Sequence, residues 1–379
     1  MVFEAEGKVC KLNKALYGLR EAPRAWNRTF NEFMLSQGFS KSRSDNCVYL
    51  LKRENMFIIV LVYVDDILIL ENNLKLFSIF KTNLLSKFKS TDLGKVKNFL
   101  GLEINFSEEN CSVEISQRQL INKIVKKFRL ENCHTYETPM EKGLKLVPND
   151  DPKLVTRKPY KELLGCLIYI MIGSRPDIAY ALGYLSRFQS APTENHYTYL
   201  LRVAMYLKCT IGYRQCFRNN ADSAPITGYS DASFAESHDQ KSTSGSIVMV
   251  YGNPIAWISQ KQKLVSLSST EAEYIALCET SKLVLSIRNL LMDLNIEIEK
   301  LTPITIFEDN IACIKLANNF NNNKRVKHID VKYHFICDIV EQKLINLKFV
   351  ESKFQLADLL TKSLGKIEFR KFVEILKLR

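Results

Sequence analysis

No apolar run in this 379-residue chain reaches the roughly 20 residues that a bilayer-crossing helix needs. The longest, residues 57–64 and 163–172, are half that length or less, which excludes a membrane-spanning helix. The first residues, Met-Val-Phe-Glu-Ala-Glu-Gly-Lys, have neither the basic start nor the apolar core of a secretory signal, so an intracellular protein is expected, cytoplasmic or nuclear and not secreted. Ten cysteines are present but no Cys-x-x-Cys, and the closest pair is Cys209 and Cys216. Zinc ribbons and redox dithiols therefore lack support, and buried free thiols are expected. The five histidines, His134, His196, His238, His328 and His334, lack the spacing of a zinc site or a serine triad. Gly-x-Ser-x-Gly, Walker and Gly-x-Gly-x-x-Gly motifs are all absent, which argues against triad hydrolases and nucleotide-fold enzymes.

What is present is an ordinary globular composition, with 46% hydrophobic and 25% charged residues. The length predicts two or three domains. The net charge of +12 favours a polyanionic partner such as nucleic acid, against the blander alternative of a basic soluble protein. Net charge is +3 over residues 1–110, +7 over 111–224 and +2 over 225–379, so the middle third carries most of the surplus. Pro139, Pro148, Pro152 and Pro159 punctuate residues 137–160, and Asn-Asn-Ala-Asp-Ser-Ala-Pro marks a second connection before residue 226.

Residues 24–37 read as a helix, followed by apolar strands 56–64 and 67–70 joined through Asp65-Asp66. This is a hairpin whose arms are apolar enough to be buried on both faces. Residues 116–129 read as a basic helix with Leu120, Ile124 and Phe128 on one stripe and Lys123, Lys126, Lys127 and Arg129 facing away. Beyond residue 225, strands at 226–235, 245–251 and 255–259 precede a long helix over 270–294. Strand 304–307, helices 310–317 and 329–342, strand 346–350 and a closing helix follow. Strands first and alternating helices and strands afterwards predict an α/β (mixed α+β) chain, a mixed sheet covered by helices.

Carboxylates mark the chemistry. In Tyr63-Val64-Asp65-Asp66, two adjacent acids at a hairpin tip repel unless a cation neutralises them. A divalent metal held by such a pair suits phosphoryl transfer, although Asp-Asp is also common turn chemistry. A second set comprises Asp231 within Gly228-Tyr-Ser-Asp231, Glu271 and Glu273 at the start of the long helix, Asp309 after a strand, and Asp358 opening the terminal helix. Acids converging there would repel, and two metal ions would resolve that while activating a water against a phosphodiester. Competing readings are specific. Ser268-x-x-Glu271 and Thr270-x-x-Glu273 both match a capping box, so one glutamate can cap while the other ligates. Asp309 reads equally as an N-cap, and Asp358 as a cap or plain surface.

With these residues in place, nearly the whole chain resembles the reverse transcriptase and RNase H portion of copia-type retrotransposon Pol polyproteins. Lys11-Leu-Asn-Lys-Ala-Leu-Tyr-Gly-Leu-Arg20 running into Glu21-Ala-Pro-Arg-Ala-Trp26 resembles the template and nucleotide-positioning segment. Tyr63-Val-Asp-Asp66 resembles the polymerase metal-binding turn, and Asp92-Leu-Gly94 with Phe99-Leu-Gly-Leu-Glu-Ile104 the end of the palm. Ser174-Arg-Pro-Asp-Ile-Ala-Tyr180 and Leu185-Ser-Arg-Phe188 are similar to the connecting region. Gly228-Tyr-Ser-Asp231, Lys241-Ser-Thr-Ser-Gly245, Leu267-Ser-Ser-Thr-Glu-Ala-Glu-Tyr274, Lys327-His-Ile-Asp330 and Gln355-Leu-Ala-Asp358 are similar to the RNase H part.

The resemblance implies a partial reverse transcriptase palm over 1–110, a basic thumb or connection over 111–224, and an RNase H-like mixed five-stranded sheet with helices over 225–379. It implies that Asp65 and Asp66 bind Mg2+ in the palm. It further implies that Asp231, Glu273, Asp309 and Asp358 form a catalytic two-metal site for Mg2+, with Mn2+ as the alternative ion. Glu273 is preferred over Glu271 because Ala272-Glu273-Tyr-Ile-Ala-Leu277 resembles the helix start of viral RNase H domains, which leaves Glu271 as the cap. Lys123, Lys126, Lys127 and Arg129 would track the phosphates of an RNA–DNA hybrid, a solvated helix face being the alternative.

Two departures from the family pattern matter. No aspartate precedes Asp45, so the palm's third, upstream acid and the fingers are expected to be missing from this chain. The expectation is hybrid cleavage without polymerisation by this chain alone, unless a missing N-terminal polyprotein portion is supplied. A noncatalytic nucleic-acid-binding remnant is the alternative. No histidine lies between Leu344 and Asp358, so His328 or His334 would have to substitute for the family's mobile one. An incomplete palm would also leave the hairpin of residues 56–70 with an exposed edge prone to aggregate, making 225–379 the more soluble piece.

Overall fold

The computed structural model describes residues 12–109, 111–218, 220, 222–236, 238–296, 302–318 and 330–378. The chain forms two compact units, Met1–Val96 with Asn289–Ile296, and Lys97–Arg288 with Glu297–Arg379.

In the first unit, α1 (Ala22–Ser36) leads into an antiparallel sheet of β1 (Ser40–Lys41), β2 (Val48–Arg53), β3 (Met56–Tyr63) and β4 (Asp66–Glu71), ordered β1-β2-β3-β4. Helix α2 (Leu74–Lys87) follows. Phe30, Phe33 and Met34 of α1 recur at helical spacing and meet Tyr49, Leu51, Ile58, Val60 and Phe80 in one core. Gly38, at φ +85°, lets the chain leave α1 in a left-handed turn that a side chain would strain. Asn73 caps α2 by accepting from the Leu76 amide at 3.0 Å. The hairpin arms are not buried on both faces as expected. Ile58 and Val60 are buried, but β4 is an edge strand among the described residues and Leu70 is 46% exposed. The other residues of β3 and β4 are half-buried or exposed.

The second unit begins with β5 (Asn98–Phe99), β6 (Leu102–Ser107), β7 (Ser112–Ser116) and α3 (Arg118–Lys127). Helices α4 (Tyr160–Gly173), α5 (Ala179–Leu185) and α6 (Glu194–Cys209) follow, and then β8 (Gln215–Arg218) closes an antiparallel sheet ordered β5-β6-β7-β8. Next come β9 (Ile226–Ser233), β10 (Thr243–Val250), β11 (Asn253–Lys261), α7 (Ser269–Asp293), β12 (Ile304–Glu308), α8 (Ile311–Ala317), α9 (Asp330–Glu341), β13 (Ile345–Phe349) and α10 (Lys366–Ile375). Their five strands form a mixed sheet ordered β11-β10-β9-β12-β13. Strands β9 to β11 are antiparallel neighbours, and β12 is parallel to both β9 and β13. This is an RNase H-like sheet.

One core joins the helices to that sheet. Leu163, Leu167, Ile170, Leu182, Leu200 and Val203 of α4 to α6 share a cluster with Ile247 and Met249 of β10 and with Leu359, Phe369 and Phe372. Cutting the chain before residue 225 would bare this face of the sheet. Within the same core lies a buried ion pair. Arg175 and Asp177 are 1% and 2% exposed, and the guanidinium meets the carboxylate in a fork at 2.9 Å (Nε to Oδ1) and 2.6 Å (Nη2 to Oδ2). Tyr206 donates to the same carboxylate at 2.6 Å, and Thr210 accepts from Arg175 through its carbonyl at 3.2 Å and its hydroxyl at 2.7 Å. The rings of Tyr206 and Tyr213 flank the guanidinium at 5.3 and 5.2 Å. Burial opposes the Arg175 charge, but Asp177 and Tyr206 outweigh it and hold its pKa above the ordinary arginine value.

Two smaller corrections follow. Asp358 lies in a 3-10 turn, Leu356–Leu360, and does not open the terminal helix. Of the cysteines described, Cys47, Cys111, Cys133 and Cys209 are exposed rather than buried.

Candidate active site

Three carboxylates converge toward the C-terminal ends of the parallel strands β9 and β12 and the first turn of α7. Asp231 of β9, Glu273 of α7 and Asp309, one residue past β12, offer oxygens that all lie within 4.8 Å of one another. Among the described residues this is the one group of three or more acidic, histidine or cysteine side chains so placed.

Each acid is positioned by local chemistry. Asp231 pairs across the β9–β10 ladder with Gly245, and cross-strand partners face the same side of a sheet. A Cβ on Gly245 would come within 2.6 Å of Thr361 Cγ2 and 2.8 Å of the Ala357 carbonyl oxygen, so the 3-10 turn lies directly on the strand there. That approach lets the Thr361 hydroxyl donate to Asp231 Oδ2. Gln355, fully buried, fixes the same segment by donating to the carbonyls of Ser230 at 2.8 Å and Phe307 at 3.4 Å, bridging β9 and β12. At the start of α7, the Glu271 amide donates to Ser268 Oγ at 3.1 Å while its carboxylate accepts from the Leu267 amide at 2.7 Å. Glu271 thus caps the helix, and Glu273, buried, turns toward the other acids. Gln262 ties this turn to β10 by donating to the Ala272 carbonyl and to Ser244 Oγ, each at 2.9 Å. Asp309 accepts from Ser352 Oγ at 2.6 Å. Its reading as an N-cap is corrected, because Asn310 caps α8, accepting from the Cys313 amide at 3.0 Å.

Asp358 stands outside the group of three but close enough for the Asp231 charge to raise its pKa, and it pairs with Lys362 Nζ at 2.9 Å. Glu308 is a further, fully buried carboxyl. It shares the buried face of β12 with Ile304 and Ile306, and it accepts from the Asn310 amide at 3.2 Å through Oε1.

The electrostatics follow from crowding. Burial, with the charges of Glu308, Asp231 and Asp309 adding to it, pushes Glu273 up to about 11. Burial and then Asp231 raise Asp358 to about 7, opposed by Lys362. Burial also raises Asp231, against the pull of Lys362 and Thr361, and lifts Glu308 well above the usual carboxylate range. Burial works against the Lys362 ammonium, yet Asp231 and Asp358 outweigh it and hold its pKa above the ordinary lysine value. So many carboxyls cannot all ionise beside a single amine without added positive charge. Glu273 Oε2 and Glu308 Oε2 are buried with no hydrogen-bond partner. Orphaned oxygens in an all-carboxylate set fit a hard divalent cation such as Mg2+ or Mn2+.

The other expected residues lie elsewhere. Asp65 and Asp66 sit exposed at the β3–β4 turn, where Val64 adopts φ +54° and its carbonyl accepts from Trp26 Nε1 at 2.6 Å. No described third acid joins them to make a group of the kind formed by Asp231, Glu273 and Asp309. On α3, Ile121, Ile124 and Val125 are buried, while Lys123, Lys126, Lys127 and, just beyond, Arg129 are exposed. Lys127 pairs with Glu162. His334 is exposed on α9 with its ring 5.7 Å from Tyr333, and His328 lies outside the described residues.

Sequence reasoning passed over Glu308, Gln355, Thr361 and Lys362. Strand alternation put Glu308 on the buried face with Ile304 and Ile306, and Lys362 follows Asp358 at helical spacing, so both signals were available.

A mixed five-stranded sheet carrying convergent carboxylates thus stands in one chain with an Asp-Asp hairpin. A family model described as reverse transcriptase (RNA-dependent DNA polymerase) matches residues 2–142. The Retrovirus-related Pol polyprotein from transposon TNT 1-94 of Nicotiana tabacum is 37% identical over 379 residues, covering 97% of this chain and 28% of its own length. The Retrovirus-related Pol polyprotein from transposon RE1 of Arabidopsis thaliana is 37% identical over 365 residues, covering 96% of this chain and 24% of its own. The Putative transposon Ty5-1 protein YCL074W of Saccharomyces cerevisiae is 33% identical over 274 residues, covering 72% of this chain and 88% of its own. A solved structure of LC11-RNase H1, isolated from compost, aligns over 36% of this chain and 93% of its own at 16% identity and a TM-score of 0.28, too loose to add to the topology itself. The chain belongs to the copia-type retrotransposon Pol family, in its reverse transcriptase and RNase H-like region. It spans 28% and 24% of the lengths of the two plant polyproteins.

Proposed function

We propose that this chain cleaves the RNA strand of RNA–DNA hybrids in a reaction dependent on Mg2+ or Mn2+. The observation that carries the reading is the convergence of Asp231, Glu273 and Asp309 within 4.8 Å. These three, with Asp358 beside Asp231, would hold the metal. Divalent ions bound there supply an activated water and charge stabilisation at the leaving oxygen. The chain's own residues prepare the place for them. Thr361 fixes the Asp231 carboxylate, Ser352 fixes Asp309, and Gln355 holds the 3-10 turn across β9 and β12. Lys123, Lys126, Lys127 and Arg129 offer phosphates a sequence-independent basic surface in the most basic third of the chain. Residues 1–110 would correspond to palm, 111–224 to thumb or connection, and 225–379 to the nuclease. Primer extension by this chain alone is expected to be absent, because Asp65 and Asp66 are joined by no third acid among the described residues.

The test is cleavage of a labelled RNA–DNA hybrid with Mg2+, beside Asp231→Asn and a primer-extension control. Cleavage lost in the variant without extension supports the reading. An uncut hybrid with folded wild-type chain overturns it and leaves noncatalytic nucleic-acid binding.

A further inference from the structure

Among the described residues, Lys362 stands beside the carboxylate cluster. Lys362 Nζ lies 2.9 Å from Asp358 Oδ1, four residues away along the turn, with Asp231 as its other principal charge partner. The neighbouring Thr361 donates to Asp231, so consecutive residues grip Asp231 and Asp358. Thr361 is fully buried and anchored above Gly245, which prevents the turn from sliding away. The Lys362 side chain is 38% exposed, so its end has room to leave. Meanwhile Glu273 Oε2 and Glu308 Oε2 are buried with no hydrogen-bond partner, so the lysine leaves that side of the cluster without a counter-charge.

We propose that Lys362 is a built-in counter-cation of the site, neutralising Asp358 and Asp231 while no metal is bound and giving up Asp358 when a divalent ion enters. The inference rests on the metal-binding reading above. A fixed positive charge at such a place competes with an incoming cation through the same oxygens. Removing the amine therefore strengthens metal binding, although it removes a favourable interaction from the metal-free protein. A merely structural lysine would weaken both.

The experiment is Mn2+ binding to the full chain, by calorimetry or by the loss of free-ion paramagnetic resonance signal, for wild type, Lys362→Met, Lys362→Gln, Lys362→Arg and Asp231→Asn. The Asp231→Asn baseline removes ions bound elsewhere. Lys362→Met and Lys362→Gln should bind Mn2+ roughly tenfold more tightly, about 1.4 kcal/mol, and Lys362→Arg should stay near wild type. The neutral variants should melt lower than wild type without metal and regain that loss with saturating Mn2+. Unchanged or weaker binding by the two neutral variants, with Asp231→Asn still defective, overturns the counter-cation while leaving the metal site standing. Wild-type binding no better than Asp231→Asn overturns the metal reading and the inference together.

Discussion

Replacing Asp177 by asparagine keeps the shape of the Ser174-Arg-Pro-Asp-Ile segment and removes one charge from a place where water cannot compensate. The guanidinium of Arg175 is 1% exposed and would lose its anionic partner in a fork at 2.9 and 2.6 Å, while Thr210 and two tyrosine rings remain as neutral neighbours. The Tyr206 hydroxyl, which donates to the Asp177 carboxylate at 2.6 Å, would face a neutral amide instead. Breaking a buried pair by neutralising one side costs about 3–5 kcal/mol, because the other charge stays buried. At roughly 2 °C per kcal/mol for a unit of this size, Asp177→Asn should lower the melting temperature of the second unit by about 6–10 °C. The double change Arg175→Met with Asp177→Leu should recover much of that loss, since neither charge then remains. Differential scanning calorimetry of the full chain, paired with hybrid binding measured well below the transition, is the assay. A shift under about 2 °C would refute the structural reading. Weakened hybrid binding at unchanged stability would refute it as well, because the segment would then be touching nucleic acid.

Three other outcomes are expected. Carboxyls whose pKa is raised in the folded state hold protons that the unfolded chain has lost, so the cluster's contribution to metal-free stability is greatest at acid pH and falls as pH rises. The fall should run from the ordinary carboxylate range through the Asp358 value of about 7 and onward toward that of Glu273, about 11. Urea unfolding at about pH 5 and about pH 8 should differ by a few kcal/mol without metal and much less with saturating Mg2+, and a pH-independent midpoint would contradict the crowding argument. Residues 97–379 expressed as one piece should be more soluble than 225–379, because the shorter piece bares Ile247, Met249 and Phe372; equal solubility in a sedimentation assay would count against the shared core. Replacing Lys123, Lys126 and Arg129 by alanine should weaken hybrid binding uniformly across sequences and lower its salt dependence by about one unit of slope for each phosphate no longer neutralised, whereas an unchanged slope would mark that surface as solvated only.

The parts of the fold written in short-range patterns were legible in the sequence. The β3–β4 hairpin and the three antiparallel strands β9 to β11 each announce themselves through local apolar runs, as the long helix α7 does through its periodicity. What stayed hidden depended on partners far along the chain. Strand β8 pairs with β7 about a hundred residues away, Cys216 opposite Glu114, and four residues give too little pattern to see it. A charged Arg175 gives no local sign that it will be almost fully buried, since only the helices around it close off water. The acids Asp231, Glu273, Asp309 and Asp358 were nameable because each sits in a motif that resembles the family's, but Glu308 was hidden beside one of them. The capping question at Asp309 turned on a single residue, Asn310, whose amide side chain serves equally well.

Gly245 has a bearing on how copies of a mobile element decay. A simple survey of damaged copies counts acids, and a copy retaining Asp231, Glu273, Glu308, Asp309 and Asp358 would pass as whole. Yet one added carbon at position 245 would press within 2.6 Å of Thr361 and 2.8 Å of the backbone at Ala357, driving the turn that bears Asp358 off the strand that bears Asp231. The geometry proposed for the site can thus be lost through a residue that contributes no atom to its chemistry. The wear on a family of such copies should be read first from where its glycines have survived.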